Sequence, residues 1–503
     1  LITTTDITNK QIAANGTPAM ETIIKELIDE NDITAMQDGV NYFSNKNDIL
    51  KRKIYYWKDG DKVEDETSPN NRMPNNFHKI LVRQKMGYLA GKPTTFSDKE
   101  SEEDEKGNIN SPNKEFVTVI NDTLNEDWDD TINELIKGAS NKGVEWLHPY
   151  IEEVEQGMGG FQYTVIDARE VIPVWETSKQ DKLDAVLRYY FVWVNNKERI
   201  RAEWWTKDTV TYYIQDDTGK FVLDDTGNEV STSEEEINIS PSSHYYFNGV
   251  GHGWGAVPFI PFKNNEELST DLQDYKKLID IYDKIYADGA NNIEEIQDVI
   301  WILKNYAGQD LEEFQDNLRK YKAMKVDADG GADTETIEIP TEAREKFLDR
   351  TEENIYTFGM GIDVSTDKYG QNPSGVALEF LYTLLDLKCD VMERKLKKSI
   401  RLLLWFIAGY YRIAEKKDYN YKVIDITFNR TMITNEAEKI ESAQKSKGIV
   451  DDETIVSNHP WVDDPQKVLK KLEAQMASLT DIYSNRLNDE LNNIGRETEG
   501  VDL

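Results

Sequence analysis

One stretch constrains the fold more than any other. From Val376 to Ile413 about 38 residues run without a proline, which predicts a helix roughly 57 Å long at 1.5 Å per residue. It contains LLLWFIAGYY (402–411), apolar or aromatic except for Gly409 and flanked by Arg401 and Arg412. That run is too short for a membrane span, so it reads as a buried core helix. Before it lies a Gly/Ser/Asn/Pro-rich loop, 359–375, and before that a helix from about Thr341 to Phe358. A further amphipathic helix near 268–287 carries Leu268, Leu272, Tyr275, Leu278, Ile279, Tyr282 and Ile285 on one face. A compact segment, about 291–340, stands between these two helices, with strands expected at 299–303, 323–326 and 336–339. The two helices are therefore expected to lie side by side with the module at one end.

The N-terminal half reads differently. Met20, Ile23, Ile24, Leu27 and Ile28 form one apolar stripe of a helix, and 113–142 reads as another. Then a period of two sets in. FQYTVI (161–166), VIPVW (171–175), AVLRYYFVWV (185–194), AEWW (202–205), TVTYYI (209–214) and FVL (221–223) predict an antiparallel meander. The repeated DDTG at 216–219 and 224–227 predicts turns rather than a metal site. Strands follow at 257–262 and 421–428, and helices to the end. The fold class is α+β and multidomain, which suits 503 residues.

Composition removes several functions. A single cysteine, Cys389, excludes an internal disulfide and a cysteine-rich zinc site. No signal-peptide core opens the chain, and the first residue is Leu rather than Met, so residues are expected to precede it. GYLAGKPT (87–94) has three residues where a phosphate cradle needs four, and Pro93 works against the helix that must follow. GHGWGA (251–256) precedes a Pro-containing strand instead of a helix, which does not suit a dinucleotide site. Asp327, Asp329, Asp333 and Glu338 lack the glycine of a calcium loop at its required place. The five histidines are scattered, and His148 is expected to be a packed core residue. Neither a catalytic residue, a metal site nor a cofactor is expected. The net charge of −35 argues, taken alone, against non-specific binding to DNA or an anionic membrane.

Several strings, in one order, resemble the portal proteins of tailed double-stranded DNA bacteriophages, of the type found in long-tailed phages of Gram-positive bacteria. They are NDILKR (47–52), NNR (70–72), FHK (77–79), QKMGYLAGKPTTF (84–96), SNKGVEW (140–146), VPFIPFKNNE (257–266) and ALEFLY (377–382). KGIVDDET (447–454) followed by PWVDDP (460–465) resembles the family's ending. Other readings are a different head–tail connector or capsid-associated protein, or an acidic hydrolase, which would need convergent carboxylates in a pocket.

The resemblance implies a portal fold with a wing at 1–262, stem helices at 263–290 and 341–358, and a small α/β clip at 291–340. A tunnel loop at 359–375, a long kinked helix and strand at 376–432 and a helical crown at 433–503 complete it. It further implies a homo-oligomeric ring, usually of twelve subunits, at one capsid vertex of the virion, assembled in the host cytoplasm. Double-stranded DNA passes through it during packaging and ejection. Its partners would be the terminase motor, a head-completion adaptor, and capsid and scaffolding proteins, with no membrane. By position, Lys368, Tyr369, Gln371 and Asn372 would touch DNA in the tunnel loop, and Lys304, Arg319, Lys320, Lys322 and Lys325 would form the clip's partner patch. Arg394, Lys395, Lys397, Lys398 and Arg401 are expected at subunit interfaces. The basic islands at 51–58, 72–92 and 394–401 read first as surfaces that pair with acids, because twelve copies would carry roughly −420 in total.

Overall fold

The computed structural model describes residues 2–13, 20–58, 60–66, 68–100, 102–103, 109–110, 112–152, 159–224, 241–295, 300–304, 331–335, 341–363, 375–431, 436–457 and a few positions between 459 and 475. The chain divides into two compact units, Leu1–Asp363 with Leu384–Thr431, and Val364–Thr383 with Met432–Leu503.

The described helices are α1 (Thr4–Ala13), α2 (Met20–Asp29), α3 (Thr34–Phe43), α4 (Phe77–Ala90), α5 (Lys114–Leu124) and α6 (Asp127–Lys142). They continue with α7 (Lys276–Glu295), α8 (Thr341–Phe358), α9 (Gly375–Ala414), α10 (Glu436–Ser446) and α11 (Asp452–Ser457). The α+β expectation holds, and the long helix is α9, 40 residues without a break in its helical hydrogen bonding.

The main sheet of the first unit runs Val171–Trp175, Leu183–Val194, Lys197–Trp205, Thr209–Gln215, Phe221–Leu223, antiparallel throughout. Ile2–Thr3 adds a parallel edge to Val171–Trp175. Both faces of this sheet are covered. Ile172, Val174, Ala185 and Leu187 pack with Ile23, Ile24 and Leu27 of α2. Val171, Trp175, Val186 and Trp205 pack with Val144, Trp146, Val257 and Phe259 on the other face. Alternation assigns each neighbour to an opposite core, which is why VIPVW reads as continuously apolar.

The meander expectation fails at its first strand. Phe161–Ile166 belongs to a separate three-stranded sheet, between no meander neighbours, paired with Val144–Ile151, which in turn pairs with Ile260–Lys263. The single helix expected at 113–142 is two, because Asn125 takes φ 46° and its Oδ1 accepts from the Asp127 amide at 2.6 Å, starting α6 anew. The helix expected near 268–287 starts later, at Lys276. Leu268 takes φ 56° and a 3-10 turn, Asp271–Asp274, precedes α7. Ile424–Thr427 pairs antiparallel with Thr95–Asp98.

In the 291–340 segment, Ile300–Lys304 pairs antiparallel with Gly331–Glu335. Asp333 therefore sits in a strand opposite Ile302, not in a cation loop. The strands expected at 323–326 and 336–339 lie outside the described residues.

Along α9, Leu385, Cys389, Met392, Leu396, Ile400, Leu403 and Ile407 are all buried at spacings of three and four. In the second unit, α10 and α11 are joined by a turn in which Gly448 takes φ 85° and Asp451 Oδ1 accepts from the Thr454 amide at 2.7 Å. No helix among the described residues is long and apolar enough to cross a membrane.

Candidate functional site

The helices α3, α4, α7 and α8 meet in an apolar cluster of Tyr42, Phe77, Leu81, Leu272, Tyr275, Ile279, Ile355 and Tyr356. Beside it lies a buried polar network. Lys85 of α4 is 1% exposed and donates to Asn264 Oδ1 at 2.5 Å and to Asp271 Oδ2 at 3.2 Å. Lys388 of α9 reaches the same carboxylate oxygen at 3.0 Å. Burial alone would raise the Asp271 pKa, but the two ammonium groups outweigh it and hold the carboxyl below its usual range. Burial opposes the charge on Lys85, and Asp271 favours it. A carboxylate shared by two lysines from different helices fixes the register of α4 against α9.

His78, about two turns earlier on α4, continues the network. With Asn141 presenting its oxygen, Nε2 donates to Oδ1 at 3.0 Å and Nδ1 accepts the Tyr275 hydroxyl at 2.7 Å. Burial pushes its pKa down to about 4, so the ring is neutral. Two turns into α7, Asp283 accepts from Asn47 Nδ2 at 2.6 Å and from Asn75 Nδ2 at 2.8 Å.

The network also holds the point at which the chain leaves α8. Gln84 Nε2 donates to the Ile362 carbonyl at 2.7 Å, and the Ile362 amide donates to Gln84 Oε1 at 2.9 Å. One side-chain amide thus pairs with the backbone as a strand neighbour would. Lys388 Nζ donates to the Gly359 carbonyl at 3.0 Å. A Cβ on Gly359 would lie 2.6 Å from Leu81 Cδ1, and one on Gly361 would collide with the same leucine. These two glycines permit close packing on α4. Gly375 is the first residue of α9. On the far side of α9, Arg430 pairs with Asp386, with Asp390 and, at 2.6 Å, with Glu393 Oε2. Tyr88 donates to Asp386 Oδ1 at 2.7 Å, and its carbonyl accepts from the Thr431 amide at 3.0 Å.

Of the expected site residues, Lys368, Tyr369, Gln371, Asn372, Arg319, Lys320, Lys322 and Lys325 lie outside the described residues. Only the backbone of Lys304 is described; it ends its strand opposite Gly331. On α9, Lys395 pairs with Glu266, Lys397 with Glu393 at 2.9 Å, and Arg401 donates to the carbonyl of Lys422 at 2.9 Å. Arg394 donates to the Asp390 carbonyl at 3.2 Å, and Lys398 lines a cleft described below. Acid pairing also accounts for Arg52 with Asp288 at 2.5 Å and Lys53 with Glu64 at 2.7 Å in the first basic island.

Gly87 is helical within α4, and Val250–His252 is half of a hairpin with Tyr245–Phe247. Among the described residues no three His, Cys, Asp or Glu side chains are grouped to hold a metal. Cys389 is fully buried in α9, its thiol pushed up to about 12 by burial. His148 is a packed ring whose Nδ1 lies 2.6 Å from the Pro258 carbonyl. Sequence reasoning passed over Gln84, Asp271, Lys388 and Arg430. A signal was present for the last, since Asp386, Asp390 and Glu393 form an acidic stripe at helical spacing that calls for a cation.

Buried and half-buried ion pairs thus tie α4 and the Arg430 segment to α9. The chain belongs to the phage portal protein family of the SPP1 Gp6-like type, whose model matches residues 24–479. It is 37% identical over 486 residues to the portal protein of Bacillus phage SPP1, covering 96% of this chain and 90% of that one. It is 33% identical over 462 residues to the portal protein of Clostridium phage phiCD119, covering 88% and 94%. The role is that of a phage portal, the head–tail connector of the virion. Among solved structures, a chain from the virion of a native gene transfer agent particle gives a TM-score of 0.38 at 11% identity over 76% of this chain and 88% of that one. A chain from the neck of the same kind of particle, computed with C12 symmetry, gives 0.37 at 12% over 77% and 90%. These scores lie below the level at which a shared fold is established.

Proposed function

We propose that this portal is a ring of twelve copies at one capsid vertex, through which double-stranded DNA enters during packaging and leaves during ejection. It acts as a structural conduit without enzymatic activity of its own, and the energy for DNA movement comes from the terminase motor. The terminase docks on the clip, 291–340, through Lys304, Arg319, Lys320, Lys322 and Lys325, and the head-completion adaptor later takes its place. Residues 1–262 form the wing, 263–290 and 341–358 the stem, 376–432 the long helix and its return, and 433–503 the crown. Capsid and scaffolding proteins surround the ring as it assembles in the host cytoplasm.

The observation that carries this reading is the anchored root of the 359–375 segment. Gln84 grips Ile362 on both backbone groups, Lys388 holds Gly359, and a 40-residue helix begins at Gly375. A segment held this firmly at one end and continuing into a long helix at the other suits a loop that must meet moving DNA without dislodging its scaffold. Lys368, with Tyr369, Gln371 and Asn372, supplies one charge and neutral donors there. That is enough to touch phosphates and too little to trap them. Arg394, Lys395, Lys397, Lys398 and Arg401 face subunit neighbours, and Lys395 and Lys397 also pair with acids of their own chain.

Electron microscopy of the purified protein tests the ring: a monomer under every condition would overturn it. Deletion of 364–372, which spares the Ile362 clamp, is expected to leave rings intact and to lower the DNA packaged per capsid. Normal packaging by rings of this variant would refute the loop's role.

A further inference from the structure

The first unit contains a cleft of about 460 Å³ between the turn at 179–183, the segment 255–266 and the C-terminal half of α9. Its lining is unusual for a chain of net charge −35: seven of the lining residues are basic and two are acidic. Several of the seven already have partners. Lys207 and Lys182 each lie 2.8 Å from Glu176, and Lys395 is on Glu266. Lys263, Lys398 and Arg401 have no carboxylate within ion-pair distance among the described residues. Lys263 Nζ donates to the Gln180 carbonyl at 2.9 Å and sits 4.8 Å from the centre of the Trp175 ring. Arg401 is spent on the carbonyls of Lys422 and Ile424, which leaves its charge uncompensated. Burial, Lys398 and Lys395 push the Lys263 pKa down to about 8 against the opposing charge of Asp181, so the cations outweigh the nearby acid. The rest of the lining is apolar, with Leu183, Val257, Phe259, Leu402 and Trp405.

We propose that this cleft receives an acidic segment of a second copy of this chain, its carboxylates on Lys263, Lys398 and Arg401 and an apolar side chain against Leu402 and Trp405. The inference rests on the ring reading and names what one of its contacts would be. Charge complementarity selects the occupant. With 94 acidic residues against 59 basic ones, a second copy is rich in acidic segments and short of places to put them. Shape argues against duplex DNA. A concavity of about 460 Å³ with an aromatic wall takes a side chain and its backbone, whereas a duplex lays its phosphates along an open surface. Cations that held DNA here would also hinder its passage.

Lys398 is exposed, so Lys398→Glu tests the contact without a folding penalty. Sedimentation velocity is expected to show that this variant needs about tenfold more protein for half-assembly than wild type at moderate salt. Lys25→Glu, the same charge change on an exposed position of α2, should assemble as wild type. Carbodiimide cross-linking of rings mixed from light and heavy-isotope subunits should give light–heavy links from Lys398 or Lys263 to an Asp or Glu. Links confined to single copies, or a Lys398→Glu variant that assembles like wild type, would overturn the cleft and leave the ring standing. A wild type that never assembles would overturn the ring itself. Binding of a 20-base-pair duplex that is lost in Lys398→Glu would assign the cleft to DNA and overturn this proposal.

Discussion

Replacing Asp271 by Asn removes the one carboxylate that Lys85 and Lys388 share. Lys85 is 1% exposed and Lys388 12%, so neither ammonium can turn to water without opening the packing of α4 against α9. Breaking a buried pair by deleting one partner costs about 3–5 kcal/mol, because the other charge stays buried. Asn264 still accepts from Lys85 at 2.5 Å and the Gly359 carbonyl from Lys388 at 3.0 Å, which places the loss near the lower end, at about 3 kcal/mol. For a unit of this size that corresponds to a fall in melting temperature of about 5 °C. Differential scanning calorimetry of the assembled and dissociated protein reads it directly. The companion variant is Asp271→Asn with Lys85→Met, which removes one orphaned ammonium and keeps the volume. It should recover about half of the loss. The sign with pH is fixed too. The Asp271 pKa is lowered in the fold, so its contribution is present above the unfolded value of about 3.9 and disappears as the pH falls through the folded one. A single variant that melts within about 1 °C of wild type, or a double variant no better than the single, would refute the claim that this triad locks α4 to α9.

His78, His148 and His244 are each pushed down to about 4 by burial and stay neutral in the fold, whereas the unfolded chain protonates them below about 6.5. Their stabilising effect is therefore present above pH ~6.5 and is lost as the pH falls toward 4; Glu145, raised to about 7 by burial, opposes one of the three. Urea unfolding should lose about 3 kcal/mol per pH unit between 6 and 5, and a flat profile would contradict the neutral histidines. Gly361→Ala drives a methyl into Leu81 and to 2.9 Å from Gln84 Oε1. It should cost about 1–3 kcal/mol and speed hydrogen exchange at the Ile362 amide at least tenfold; unchanged exchange would show that the Gln84 clamp does not depend on that close approach.

Much of the helical frame was legible. The apolar spacing of α9 and of α2 is regular enough that their ends agree with expectation to within one residue. Period two found the strands of the main sheet but not which sheet each joins. Phe161–Ile166 has the same pattern as its successors, and its partner Val144–Ile151 is a run in which six consecutive residues are buried, so no alternation marks it. Position-specific backbone angles were invisible as well: Asn125 splits a continuous apolar periodicity with one left-handed residue. The site was half legible. The strings that carry the family resemblance contain His78, Gln84, Lys85, Tyr88, Asn141 and Asn264, all members of the buried network. Their partners Asp271, Lys388 and Arg430 come from sequence about 180 or more positions beyond α4, and pairing at that distance leaves no local trace. The close packing of Gly359 and Gly361 on Leu81 leaves no mark either, because a glycine's neighbours are not in its sequence context.

The charge of −35 acquires a sharper meaning from where the cations are. Lys85, Lys142, Lys276, Lys388 and Arg430 point at carboxylates of their own chain, so they do little to neutralise the outer surface. Such surfaces brought together in an assembly repel one another over distances set by the salt, about 10 Å at 0.1 M. A contact in the Lys263–Lys398–Arg401 cleft acts at ion-pair distance and partly out of water, where salt screens it far less. The two effects separate on a titration. Adding salt should first promote ring assembly, as the long-range repulsion is screened, and then reverse it above roughly 0.3 M as the cleft contacts weaken. Lys398→Glu should keep the rising limb and lose stability across the whole range. Assembly that falls monotonically from the lowest salt would mean that attraction between surfaces outweighs the repulsion, and the uncommitted cations would then have to be far more numerous than the described residues provide.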